Sequence, residues 1–146
     1  MRDVATRKAD VLEALGGDTD LWVASADLAG RPHLIAVSAW WDGAVVVIAT
    51  TATSRTAKNL AANPIVRLAH GSPADAIVID ARLVEARPAH DAPDLARGFA
   101  AAVGWDPREV GPGWAFYSLK PVRIQAYRGY DELEGRDVMR GSEWLA

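Results

Sequence analysis

Three apolar runs, residues 21–26, 33–41 and 44–50, follow one another so closely that only turns can join them. Parallel strands need a crossover of a dozen or more residues, so these three can pair only as antiparallel neighbours. The first connection, Asp27-Leu28-Ala29-Gly30-Arg31-Pro32, is built from turn formers, and the second run meets the hairpin dipeptide Asp42-Gly43. The chain is thereby committed to a three-stranded meander before its middle is reached.

The remaining elements attach to that meander. Residues 4–15 place Val4, Val11, Leu12 and Leu15 on one helical face and stop at Gly16-Gly17. A helix starting near Ser54 runs through Leu60 and must end before Asn63-Pro64, because a residue preceding proline is pushed out of helical geometry. Strands are expected over 65–70 and 76–85, and a helix over 92–103 that breaks at Gly104-Trp105-Asp106-Pro107. Residues 108–113 read as a loop, 114–119 and 122–128 as two last strands separated by Lys120-Pro121, and 129–146 as a polar tail. Short strands at close spacing with one short crossover helix predict a mainly β (α+β) fold. The expected form is a closed or split antiparallel β-barrel of six or seven strands with peripheral helices.

Composition narrows the function classes. With 146 residues the chain is expected to form a single domain over 1–146. A net charge of -3 speaks against a nucleic-acid partner, and the absence of cysteine removes disulfides, thiolate metal sites and a cysteine nucleophile. His33, His70 and His90 lack metal-site spacing, so no metal is expected. No signal pattern and no apolar run of ~20 residues is present, which predicts a cytoplasmic protein without a membrane span.

One segment carries chemistry. Thr50-Thr51-Ala52-Thr53-Ser54-Arg55-Thr56-Ala57-Lys58 takes a strand into a helix through hydroxyls and two cations. A helix N-terminus leaves its first N–H groups unpaired and carries the positive end of the dipole, so an anion there is stabilised. Ser54 is the N-cap in this reading, and Arg55 and Lys58, three apart, share a face. The same residues also describe an ordinary capped helix with a solvated basic face, and the local pattern leaves both readings open.

The order of segments resembles the pyridoxamine 5′-phosphate oxidase-like family of flavin-binding split β-barrels, which includes enzymes using a deazaflavin. Gly30-Arg31-Pro32-His33 with Trp40-Trp41-Asp42-Gly43 is similar to the family's opening hairpins. Thr53-Ser54-Arg55 through Asn59-Leu60 and Asn63-Pro64-Ile65-Val66 is similar to its phosphate segment, and Pro121 through Gly129 to its last strand. The resemblance implies FMN, or alternatively a deazaflavin cofactor, with its phosphate on Ser54 and Arg55 and with Lys58 as a second cation in place of the lysine that Thr56 replaces. It further implies Thr50 and Thr51 against the ribityl chain or ring edge, the backbone of Val37, Ser38 and Ala39 along the isoalloxazine, and Tyr127 near the flavin. A homodimer closing the site with its second subunit is implied too. The family's C-terminal Arg-x-His substrate pattern is missing from the segment ending at Arg136, which speaks against vitamin B6 oxidation.

With neither a triad nor an acid/base pair recognisable, no catalytic side chain is assigned. The expectation is a flavin-dependent oxidoreductase acting on a small molecule. A non-catalytic flavin-binding or cofactor-free interaction protein of the same fold is the rival.

Overall fold

The computed structural model describes residues 1–17 and 19–146, with no description of the Thr19 side chain. Helix α1 (Val4–Gly16) starts at Asp3, whose side chain accepts from the Thr6 N–H. The meander is β1 (Thr19–Ala26), β2 (Pro32–Trp41) and β3 (Val46–Thr51). Helix α2 (Arg55–Ala62) then leads into β4 (Ile65–Ser72) and the long β5 (Asp75–Pro88). A 3-10 turn, Ala89–Asp91, precedes α3 (Pro93–Val103) and the short α4 (Pro107–Val110). Strand β6 (Trp114–Tyr127), a 3-10 turn Tyr130–Glu132, β7 (Asp137–Arg140) and β8 (Glu143–Trp144) complete the chain.

All pairings are antiparallel, in the order β3-β2-β1-β4-β5-β6, and β6 returns to pair with β3. Six strands thus close a barrel, with β7 and β8 continuing from β6. Alternation along the strands sends Leu21, Val23, Ile48, Leu68, Ile79, Leu119 and Ile124 inward, where they form the main core with Val11 and Leu15 of α1. A second core lies outside the barrel, where α3 covers β2, β3 and β6. There Phe99 stands edge-on to Trp105 at 5.5 Å and against Phe116 at 5.4 Å.

Several expectations are corrected by particular residues. Asp42-Gly43 does not make a two-residue hairpin, because the Asp42 carboxylate accepts from both Ala44 and Val45 N–H at 2.8 Å and holds a longer loop between Trp41 and Val46. Residues 107–110 form α4 instead of a loop, with Asp106 as its N-cap and Pro107 in its first turn. The two expected last strands are one strand. Proline is tolerated inside β6 because Pro121 sits where the β5–β6 register shifts, between Asp80↔Arg123 and Ala81↔Pro121, so its missing N–H leaves no gap in a regular ladder. The expected polar tail contains two strands and buries Glu132, Val138 and Met139.

Trp40 and Trp41 point to opposite faces. Trp41 packs on the barrel core and Trp40 on the α3 layer, where Gly98 leaves room for its indole. A Cβ at Gly98 would run into the Trp40 ring at Cη2. Gly98→Ala should therefore lower stability by about 1–3 kcal/mol, measured by urea denaturation, despite the better helix propensity of alanine. An unchanged or higher midpoint would show that the Trp40 ring moves aside freely.

Candidate functional site

The turn from β3 into α2 is the focus of two clefts. Ser54 Oγ accepts from the Ala57 N–H at 3.1 Å, the expected N-cap bond. The first helical bond runs from Lys58 N–H to the Ser54 carbonyl, 3.0 Å. The amides of Arg55 and Thr56 precede it and have no intrahelical acceptor by the geometry of a helix start. Arg55 is exposed, and its side chain makes no ion pair or hydrogen bond among the described residues.

On one side of this turn lies a polar cleft of about 300 Å³ lined by Asp27, Arg31, Pro32, His33, Arg55 and Asn59. Asn59 follows Arg55 by one helical turn, so both reach the same side of α2. The β1–β2 connection supplies the rest. Asp27 accepts from the backbone N–H groups of Ala29 and Arg31 at 2.9 Å and from the Arg31 guanidinium at 2.7 Å. Those bonds, the backbone one first, hold the Asp27 carboxyl below the usual range. The Arg31 charge is thereby matched, whereas Arg55 brings a cation with no carboxylate of its own.

Asn59 is buried, its amide donates to Ser25 Oγ at 3.1 Å, and its Oδ1 has no partner. An arginine without a partner among the described residues, beside open helix amides, fits an anionic group such as a phosphate.

The barrel opens next to this cleft. Ala39↔Ile48 is the last β2–β3 pair, and the register would set Val37 opposite Thr50 had the ladder continued. Beyond that point β2 pairs only with β1, so its edge at Val37 and Ser38 faces the gap while Thr50 and Thr51 pair away with Ala115 and Trp114. This is the split of the barrel.

On the other side of the turn is an apolar cleft of about 370 Å³, formed chiefly by Ala52, Ala86, Pro88, Trp114, Ala115 and Tyr117. Its wall is a sheet face in which Ala86 opposes Tyr117 and Pro88 opposes Ala115. The Ala52 N–H donates to the Gly113 carbonyl at 2.9 Å and ties the turn to the start of β6.

The expected site residues are partly gathered. Ser54 and Arg55 stand at the polar cleft's helix start, and Thr50, Thr51, Val37 and Ser38 border the split. The Ser38 side chain is taken up on the outer face, where Trp105 Nε1 donates to its Oγ at 3.3 Å, so only its backbone faces the gap. Ala39 is buried in the barrel core and paired on both sides. Lys58 is exposed and does not line the polar cleft. Tyr127 pairs with Ala76 at the opposite end of the 14-residue β6 from Trp114, so one chain does not bring it to Arg55. Arg31, His33 and Asn59 were not expected in the site. The one sequence signal for them was spacing, since Asn59 follows Arg55 by four and Arg31 and His33 bracket the turn proline.

No family model matches the sequence, and no curated protein matches it. Solved structures do match in fold, and together with the closed, split barrel they define the class: the chain has the split β-barrel fold of the pyridoxamine 5′-phosphate oxidase-like proteins. An F420 reductase superposes with TM-score 0.66 at 16% identity, over 77% of this chain and 93% of that one. A putative pyridoxamine 5′-phosphate oxidase from Listeria innocua gives 0.64 at 16%, over 82% and 96%. A heme-binding protein from Mycobacterium smegmatis gives 0.67 at 19%, over 94% of this chain and 57% of that longer one. Their names point to three different bound groups, so the fold alone does not choose a cofactor and the site must. Among the described residues no cluster of three or more metal-ligating side chains is gathered, and no helix is long and apolar enough to cross a membrane.

Proposed function

We propose that this protein is a flavin-dependent oxidoreductase that holds the phosphate of FMN at the start of α2 and acts on a small molecule. The observation that carries the reading is Arg55, an exposed arginine without a partner among the described residues, lining a polar cleft beside open helix amides. Arg55 would supply a forked, charge-assisted pair of hydrogen bonds, and the first amides of α2 neutral donors. The unpaired edge of β2 at Val37 and Ser38 gives a flat ring backbone donors and acceptors, with Thr50 and Thr51 beside it. A bound flavin supplies the redox chemistry, while the protein supplies position and electrostatics. A deazaflavin cofactor is the alternative occupant, because these residues read a phosphate and a ring edge that both cofactors possess.

A homodimer belongs to the same proposal. Trp22 and Leu34, 49% and 62% exposed, lie on the outer face of β1 and β2, Trp22 opposite Ala36 and Leu34 opposite Ala24. An apolar patch on a sheet face is what a second copy would cover. Trp22→Glu should convert a dimer into a monomer in light scattering at micromolar concentration. A monomeric wild-type protein would overturn the dimer.

The reading is tested by identifying, by mass spectrometry and absorbance, what copurifies with the protein, and by titrating FMN into the stripped protein. Flavin bands and saturable quenching of FMN fluorescence are expected. Absence of any FMN or deazaflavin binding would contradict it. Turnover with NAD(P)H or with reduced deazaflavin then separates enzyme from carrier.

A further inference from the structure

Beside the β3–α2 turn, the apolar cleft holds a tyrosine hydroxyl. Tyr117 is 7% exposed, and its hydroxyl makes no hydrogen bond among the described residues. Burial pushes its phenol pKa up, so it remains a neutral donor throughout the physiological range. The hydroxyl is not sealed in the core, so an acceptor entering the cleft can take its hydrogen bond.

The rest of the lining defines what fits. Ala86, Pro88 and Ala115 leave a flat floor on one face of the β5–β6 ladder, while Phe116 on the opposite face is sealed under α3. Trp114 borders the cleft at the start of β6, while its indole packs in the α3 layer edge-on to Trp105 at 5.4 Å. Of the cations at the rim, Arg87 already donates to the Asp91 carbonyl at 2.8 Å and pairs with Glu85 at 3.5 Å. That leaves His90 at the edge and no fixed, unmatched charge over the floor. A volume of about 370 Å³ lies within the range of small-molecule sites, which are typically apolar with a few placed polar groups.

We propose that this cleft is the substrate subsite, that it takes a flat, uncharged ring compound bearing a carbonyl-type acceptor, and that Tyr117 is its specificity-determining donor. The assignment as substrate side rests on the flavin reading, since the cleft adjoins the turn that would hold the cofactor phosphate. Binding in the cleft does not rest on it.

Chromone serves as the probe, naphthalene as a two-ring control without an acceptor, and 2-naphthoate as an anionic one. Binding is followed on the indole N–H signal of Trp114 in NMR titrations of the full protein. Chromone should bind more tightly than naphthalene, and 2-naphthoate should bind weakest. The isosteric Tyr117→Phe should weaken chromone about 2- to 10-fold, the range for one hydrogen bond, and leave naphthalene unchanged. Ala86→Trp, at an exposed position, should block both neutral probes while leaving FMN affinity intact. Equal chromone affinity in wild type and Tyr117→Phe, preference for 2-naphthoate, or undiminished binding in a folded Ala86→Trp protein would overturn the proposal. Failure of FMN to bind would instead strike the cofactor reading and leave the probe results standing.

Discussion

Glu132→Ala is expected to destabilise the protein by about 3–5 kcal/mol, the cost of leaving buried charge without its partner. Glu132 is nearly inaccessible, yet it accepts from the Arg2 guanidinium at 2.7 and 3.2 Å, from the Arg2 backbone N–H at 2.8 Å and from the Arg128 N–H at 2.8 Å. Arg7, 2% exposed, lies 3.9 Å from the same carboxylate and donates to the Gly135 carbonyl. One carboxylate thus fastens α1 and the segment before it to the C-terminal 3-10 turn and the end of β6. Its loss takes from the buried Arg7 the carboxylate 3.9 Å away and leaves Arg2 its pair with Asp10 at 2.8 Å, so Glu132→Gln, which keeps the shape, should also be destabilising, though less so.

The same group predicts a pH dependence. The Arg2 hydrogen bonds, opposed by burial and aided by the two backbone N–H bonds, hold the Glu132 carboxyl down to about 2 from an ordinary value of 4.5. A depressed carboxylate contributes its full stability above the unfolded-state value and loses it as pH falls through the folded-state value. Urea midpoints should therefore drop between about pH 4.5 and 2 in the wild type, with that part of the slope missing in Glu132→Gln. Parallel acid profiles for the two proteins would show that the ion cluster does not anchor α1.

Phe99→Ala is the second large effect, about 3–5 kcal/mol, because Phe99 is fully buried and touches both Trp105 and Phe116. It differs from Glu132→Ala in what it disturbs. The cavity opens in the layer outside the barrel, and the Trp105–Trp114 pair loses its support. Tryptophan emission should shift red and chromone binding at Trp114 should weaken, whereas Arg55, on the other side of the turn, should keep its ligand. Equal loss of FMN and chromone binding in a folded variant would mean that the two clefts are not independent.

Much of the barrel was legible in the sequence, for local reasons. Closely spaced apolar runs exclude parallel pairing, and Ser54 and Asn63-Pro64 mark the two ends of α2 by capping and by steric exclusion. Contacts distant in sequence were not legible. Pro121 looked like a break because its tolerance depends on a bulge against Asp80 and Ala81, and 129–146 looked like a solvated tail because Arg2 and Arg7, which bury Glu132, lie at the other end of the chain. The site divides in the same way. Arg55 and its cap are a local motif, but Asp27, Arg31 and His33 join it only when the β1–β2 hairpin folds beside α2. Ser38 shows the limit of assigning side chains by strand position, since its hydroxyl goes to Trp105, far along the chain.

The central claim is that the start of α2 binds a cofactor phosphate through Arg55. FMN and riboflavin differ by that phosphate alone, so fluorescence titrations of both into wild type and Arg55→Ala isolate it. Arg55 is exposed and has no partner among the described residues, so the variant should fold with unchanged stability. FMN should bind the wild type about 10- to 150-fold more tightly than it binds Arg55→Ala, about 1.5–3 kcal/mol for a charged hydrogen-bonded pair, while riboflavin affinity stays the same in both proteins. Unchanged FMN affinity in folded Arg55→Ala, or equal losses for FMN and riboflavin, would contradict the phosphate site.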